Sequence, residues 1–153
     1  MKGLKKINML FQDKADYQCD FILTRRSGKN VYLSKGNQVI SSNDRLNPFI
    51  KTQLVRYLRN LSWEQEKDKL TKSYPMFSEM HPCHVIITVC PPSRRRIDPP
   101  NLYPTVKALI DGLTDAGLWS DDNGHIIQAM TFTLGDVTQD KKYHLHFDIY
   151  AGS

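Results

Sequence analysis

The sequence predicts a single α+β domain in which two main helices pack against a mixed β-sheet. Three observations carry that expectation: a compact β-branched run, CHVIITVC, at 83–90; segments with apolar residues at helical spacing on either side of it; and a closing YHLHFDIYAG that alternates apolar with polar. At 153 residues the chain is long enough for one hydrophobic core and short for two domains. The expected boundaries are an N-terminal extension over 1–16, the domain over 17–150 and a tail at 151–153.

The elements follow in order. CDFILTRR, from Cys19 to Arg26, reads as a strand, and NVYLSKGNQVISSND, broken at Lys35-Gly36-Asn37, extends it into strand, turn and strand with an irregular exit through Ser41 to Asp44. A helix then starts at Asn47, which can cap it, and Pro48, which the first turn tolerates. Its apolar stripe is Phe49, Ile50, Leu54, Leu58 and Leu61, leaving Lys51, Arg56 and Arg59 on a basic outer surface. The polar segment that follows reads as a helical continuation closed by Pro75 and Pro82. The run Cys83 to Cys90 is the expected central strand, with His84 as an edge or packing residue.

Prolines in PPSRRRIDPPNLYP disfavour regular structure until about Asn101, so Arg94, Arg95, Arg96 and Asp98 are expected in a loop leaving that strand. A second helix carries Val106, Leu109, Ile110 and Leu113 and ends at Gly117, which suits a left-handed C-terminal cap. Gly112 in its interior points to close packing against the sheet. A turn through Asp121 to Gly124 leads to a strand over His125–Leu134. The last strand places Leu145, Phe147 and Ile149 on one face and His144, His146 and Asp148 on the other. The histidines read as solvated strand residues.

With 21 Lys and Arg against 16 Asp and Glu, the formal charge of +5 makes an anionic partner such as nucleic acid plausible without requiring one. Cys19, Cys83 and Cys90 cannot all pair, which fits a reducing compartment, and no C-x-x-C appears for zinc. MKGLKKINML lacks the long apolar run and cleavage site of a secretory signal, and no apolar segment approaches eighteen residues. The expectation is a cytoplasmic protein without a membrane partner. Phe11, Tyr17 and Tyr32 read as local packing ahead of an interface.

The stretch RRRIDPPNLYPTVKALIDGLTDAGLWSDDN carries the chemistry. Arginines in a loop can present bidentate donors to phosphate oxygens, and a neighbouring carboxylate is what a metal-dependent nuclease adds to them. Should Asp98 converge with Asp121 and Asp122, a hard-oxygen site suited to Mg²⁺ would result, with Lys107 steadying transition-state charge. Should they not, the aspartates cap loops.

This stretch, with its preceding strand and SSNDRLNPFIKTQLVRYLR upstream, resembles the RusA family of phage and prophage Holliday junction resolvases over about Phe21 to Ile149. Those enzymes carry an Arg-rich loop, a D-x-D-N-L segment, a helix with an essential lysine and an A-G-[LFW]-x-x-D-D turn. The resemblance implies a Mg²⁺-dependent endodeoxyribonuclease, with Mn²⁺ as a substitute, that makes paired nicks in four-way junctions or related branched DNA as a homodimer in a bacterial host cell. It makes Asp98, Asp122 and Lys107 catalytic, and Asp98, Asp121 and Asp122 metal ligands. It places Arg94, Arg95, Arg96, Asn43, Arg45, Lys51 and Asn101 against DNA, with Asn101-Leu102 matching the family's Asn-Leu. One departure stands out: Pro100 occupies the position of the middle Asp, and a proline has no side-chain oxygen for a metal. Asp121 or the Asn101 carbonyl is then the replacement ligand, and a branched-DNA-binding protein that has lost cutting is the alternative.

Overall fold

The computed structural model describes residues 14–25, 36–70 and 73–152. Its elements are β1 (Tyr17–Leu23), α1 (Pro48–Glu66), β2 (Cys83–Cys90), α2 (Tyr103–Ala116), β3 (Ile127–Leu134) and β4 (Tyr143–Ala151), with short 3₁₀ turns at Lys67–Lys69 and Pro99–Leu102. The sheet is mixed and its strand order is β1-β4-β2-β3. β2 and β3 are parallel and joined through α2, whereas β4 runs antiparallel to both β1 and β2. The α+β class, the mixed sheet and the two helices agree with the sequence reading.

Alternation sets which face is covered. Cys19, Phe21 and Leu23 of β1, Val85, Ile87 and Val89 of β2, and Leu145, Phe147 and Ile149 of β4 are all buried and form one cluster with Val106, Leu109, Ile110 and Leu113 of α2. Each such Leu, Ile or Phe contributes about 1.5–3 kcal/mol by leaving water. On the opposite face Gln18, Asp20 and Ile22 are exposed, while His84, Ile86, Thr88 and Cys90 are half-buried. Cys19 and Cys83 are free thiols inside the core.

α1 begins as expected, with the Asn47 side chain accepting from the Phe49 amide and Pro48 in the first turn. Its contact face agrees in part: Leu58 is buried, and Leu54 and Leu61 are half-buried against the core as expected. Phe49 is 70% exposed, and the fully buried residues are Leu58, Ser62 and Glu66, one turn apart. Ser62 is there because α1 lies against α2 at Gly112: a Cβ on Gly112 would sit 1.8 Å from the Ser62 hydroxyl oxygen and 2.1 Å from the Arg59 carbonyl oxygen. The close approach that Gly112 permits is therefore to α1 and not to the sheet. Ser62 donates to the Leu109 carbonyl at 2.7 Å, which satisfies its buried hydroxyl. Buried Glu66 accepts from the Tyr17 hydroxyl at 2.7 Å, from Gln65 and from Lys69, the partners an interior carboxylate needs. Tyr17 is thus the local packing residue it was expected to be, while Phe11 and Tyr32 lie outside the described residues.

The expected second strand is only partly described. Residues 26–35 lie outside the description, and residues 37–41 are not in the sheet. Their backbone is satisfied otherwise: Gln38 N–H donates to the Thr24 carbonyl, and the Ile40 amide and carbonyl both bond the buried Thr105 hydroxyl at 2.8 Å. A side chain of α2 replaces a ladder.

Candidate functional site

The chain leaves β1 at Leu23, leaves β2 at Cys90 and enters β4 at Tyr143, all at one end of the sheet, because β4 runs against both other strands. Loops converging on the carboxyl ends of strands are where α/β sheets commonly bind ligands. Here they enclose a hollow of about 400 Å³ whose polar lining includes Arg25, Asn43, Arg95, Arg96, Asp98 and Asn101. Next to it, a second hollow of about 360 Å³ is lined by Arg45 and Lys51 and shares Ser41 with the first. Arg94 is exposed in the same loop.

Five hydrogen bonds assemble this corner. Ser42 donates its amide, at 2.7 Å, and its hydroxyl, at 3.2 Å, to the Asn101 carbonyl, holding the upstream turn on the entrance to α2. Arg25 grips Asp44 through two hydrogen bonds of 2.8 and 2.9 Å, and Asp44 also accepts from the Ser41 amide. The guanidinium and the amide outweigh burial and hold the Asp44 carboxyl below its ordinary value. Asn43 and Arg45, which flank Asp44, are thereby fixed beside the Arg94–Arg96 loop.

The charges within the corner are unbalanced. Among the described residues, Arg45, Lys51, Arg94, Arg95 and Arg96 make no ion pair, and neither does Asp98, whose carboxylate caps nothing. Arg59, Lys69 and Lys107 elsewhere all have carboxylate partners.

The second group of interest lies along α2. Lys107 Nζ bonds Asp111 Oδ1 at 2.8 Å and also bonds Asp122 Oδ2. Asp122 is delivered by the segment after Gly117, the expected left-handed cap at φ 92°. Leu118 and Ser120 bond the backbone of Phe77, and the buried Trp119 donates to the Thr114 hydroxyl. Asp121 accepts from the Asp122 amide at 2.8 Å through one oxygen and from the Asn123 side chain at 3.2 Å through the other. It therefore builds the turn, and Asp122 is the carboxylate that faces Lys107. Although burial pulls the other way, bonds to Asp111 and Asp122 push the Lys107 ammonium up to about 12, so at neutral pH it is a fixed cation and not a base. The hydrogen bond from Lys107 in turn lowers the Asp122 carboxyl.

The expected residues thus fall into two neighbouring sets on α2 and its entrance. Asp98, Asn101, Asn43, Arg95 and Arg96 come together, with Arg45 and Lys51 next to them; Lys107 and Asp122 come together; Asp121 supports the latter pair. Among the described residues no group of three or more His, Cys, Asp or Glu is arranged to hold a metal ion. The Asn101 backbone carbonyl already accepts twice from Ser42. Asp111 and the Arg25–Asp44 clamp are additions to the sequence reading. Asp111 stands four residues after Lys107, a spacing that was legible as an ion pair. The clamp left no local signal.

His144 and His146 lie on β4 and are partly exposed, as expected, while His125 is exposed but outside the strand. His125 sits in the turn before β3, His144 bonds Asp140 at 2.7 Å, and His146 is held between Asp20 at 2.5 Å and Asp148 at 2.9 Å. His146 is therefore a paired residue of the open sheet face, brought against Asp20 by the β1–β4 register. His84 stacks on Tyr150, a packing role.

No helix of the described residues is long and apolar enough to cross a membrane. No protein-family model matches the chain, and among curated proteins none matches it.

Proposed function

We propose that this protein is a RusA-like, Mg²⁺-dependent endodeoxyribonuclease selective for Holliday junctions or related branched DNA, working as a homodimer. The observation that carries the reading is the corner in which Arg95, Arg96 and Asp98 line one hollow without an ion pair among the described residues, directly before the helix that bears Lys107 and Asp111, with Asp122 bonded to Lys107. Unpaired guanidinium groups are free to form bidentate bonds with phosphate oxygens. Homodimerisation is inferred from the substrate: two symmetric nicks require two sites related by a two-fold axis.

In this reading Arg95 and Arg96 seat the phosphodiester, while Asn43 and Asn101 fix its orientation through neutral hydrogen bonds. Lys107, locked as an ammonium, offsets the charge that builds up on the phosphate in the transition state. The carboxylates fit a hard cation. Asp111 and Asp122 already converge on one ammonium, and Mg²⁺ needs only one or two carboxylates besides water and substrate phosphate. Asp122 and Asp111 would hold it, with Asp98 the free carboxylate on the DNA side; when bound, the ion polarises the scissile phosphate and activates water.

A second reading, junction binding without cutting, is favoured by Pro100 and by the engagement of both replacement oxygens, Asp121 in its turn and the Asn101 carbonyl with Ser42. One experiment separates the two: a synthetic immobile four-way junction and a linear duplex, each with Mg²⁺ and with EDTA. Symmetric, Mg²⁺-dependent nicking of the junction alone is the expected result. Selective binding without nicking, with cutting gained by Pro100→Asp, would establish the second reading, and equal or absent binding to both DNAs would overturn each of them.

A further inference from the structure

A third hollow, of about 460 Å³, adjoins the arginine corner and shares Arg25, Arg95, Ile97 and Tyr143 with it. Its remaining walls are Pro92, Ser93 and Lys141, so Arg95 stands between two concave spaces. Lys141 comes from the β3–β4 turn, a segment that neither the sequence motifs nor the proposed activity involves.

The turn is fastened to the arginine loop. Gly135 N–H donates to the Val89 carbonyl at 2.8 Å and Thr138 N–H to the Pro91 carbonyl at 2.9 Å, so the start of the loop and the turn are tied together. Within the turn, Thr138 donates to the Lys142 carbonyl, and Asp140 accepts from the Lys142 amide and bonds His144. Held this way, Lys141 adopts φ 60°, the left-handed region that glycine or asparagine enters more cheaply. Among the described residues it has no ion-pair partner. A cation without an ion pair among the described residues, held in the left-handed region at the rim of a hollow, is placed where it can meet an anion.

We propose that this third hollow takes the nucleotide next to the one seated on Arg95 and Arg96, and that it takes it from a single, unstacked strand, with Lys141 on the connecting phosphate. The proposal rests on the nuclease reading and specifies its substrate: branched DNA with an unpaired strand at the branch. Shape argues for the single strand. A duplex keeps the faces of its bases stacked inside and presents phosphates, sugars and groove edges, whereas Pro92, Ile97 and Tyr143 give the hollow an apolar lining beside the cation, which the face of a splayed base can cover. With Arg45 and Lys51 in the hollow that shares Ser41 with the first, cations without an ion pair among the described residues occur in three adjoining hollows, the pattern of a strand's phosphates and not of one anion.

The test compares wild type, Lys141→Ala and Lys141→Gly on a short oligothymidylate, on a junction carrying an unpaired flap and on a linear duplex, across a salt titration. Both variants should lose affinity for oligothymidylate and flap by several-fold and lower the salt slope by about one unit, while duplex binding stays unchanged. Lys141→Gly should also melt higher than wild type, because it relieves the backbone; binding and stability then move in opposite directions, which a structural lysine would not produce. Unchanged flap and oligonucleotide binding, or an equal loss on duplex, would overturn the proposal and leave the nuclease reading standing. Wild-type protein that binds none of the three DNAs would overturn both.

Discussion

The arginine corner and the Lys107 cluster share one helix and its entrance, yet they treat charge in opposite ways. In the corner, five cations and Asp98 lie without ion pairs among the described residues; in the cluster, one ammonium is shared by two carboxylates. A cation without a partner adds little to folding and is available to an anionic ligand, whereas a paired one is part of the scaffold and must be perturbed before it reacts. The corner therefore supplies recognition, and the cluster supplies a preset electrostatic environment. Variants can separate the two.

The largest effect should strike both regions together. Gly112→Val drives a side chain into the Arg59 carbonyl, a backbone atom that no rotamer change removes, and should destabilise the protein by about 3 kcal/mol in urea unfolding. Both DNA binding and any nicking should then fall in proportion to the folded fraction, which would show that α1 holds α2 in place for each. Next in size, Asp122→Asn should reduce junction nicking about a hundredfold or more with binding preserved; parallel loss of binding would show that the cluster also recognises DNA. In the reverse direction, Arg95→Ala combined with Arg96→Ala should leave the melting temperature within a degree or two of wild type, because neither side chain has a hydrogen-bond or ion-pair partner among the described residues. It should lower the salt slope of junction binding by about two units.

The smallest effect is in the pH dependence of stability. The Asp122 carboxyl is lowered in the folded protein, so its contribution is present above the unfolded value near 3.8 and is lost as pH falls through the lower folded value. Lys107 is raised to about 12, so its contribution is present below the unfolded value near 10.5 and disappears as pH rises toward 12. The cluster should therefore stabilise at constant strength from about pH 5 to 9 and weaken at both extremes. Asp122→Asn should flatten the acid limb in a series of thermal melts; an unchanged limb would mean that Asp122 and Lys107 are not paired in solution.

Elements whose stability is local were readable from the residues. β2 is a run of β-branched residues, β4 alternates cleanly through Leu145, Phe147 and Ile149, and α2 has a proline in its first turn and Gly117 at its end. What escaped was set by partners far along the chain. Ser62 and Glu66 look like exposed helix residues until Gly112 and Tyr17 are placed against them, and Phe49 looks like core until the first turn of α1 is seen to stand clear of it, with packing that begins at Leu54. Of the candidate site, residue types and loop location were legible, because arginines between prolines have nowhere regular to go. Their grouping was not: it depends on Ser42 bonding Asn101 and on Arg25 holding Asp44, contacts without periodicity or motif. Between Asp121 and Asp122, adjacent and chemically alike, only the turn decides which one meets Lys107.

The core cysteines have a practical consequence. Burial raises the thiol of Cys19, and raises that of Cys83 to about 12, so almost no reactive thiolate exists at either position while the fold is closed. Cys19 sits on β1 at the sheet edge and Cys83 at the start of central β2. Alkylation rates at the two positions, followed separately by mass, therefore act as built-in clocks for opening. If Cys19 reacts well before Cys83, the edge strand peels away as its own unit; equal rates mean that the sheet opens only when the whole domain does.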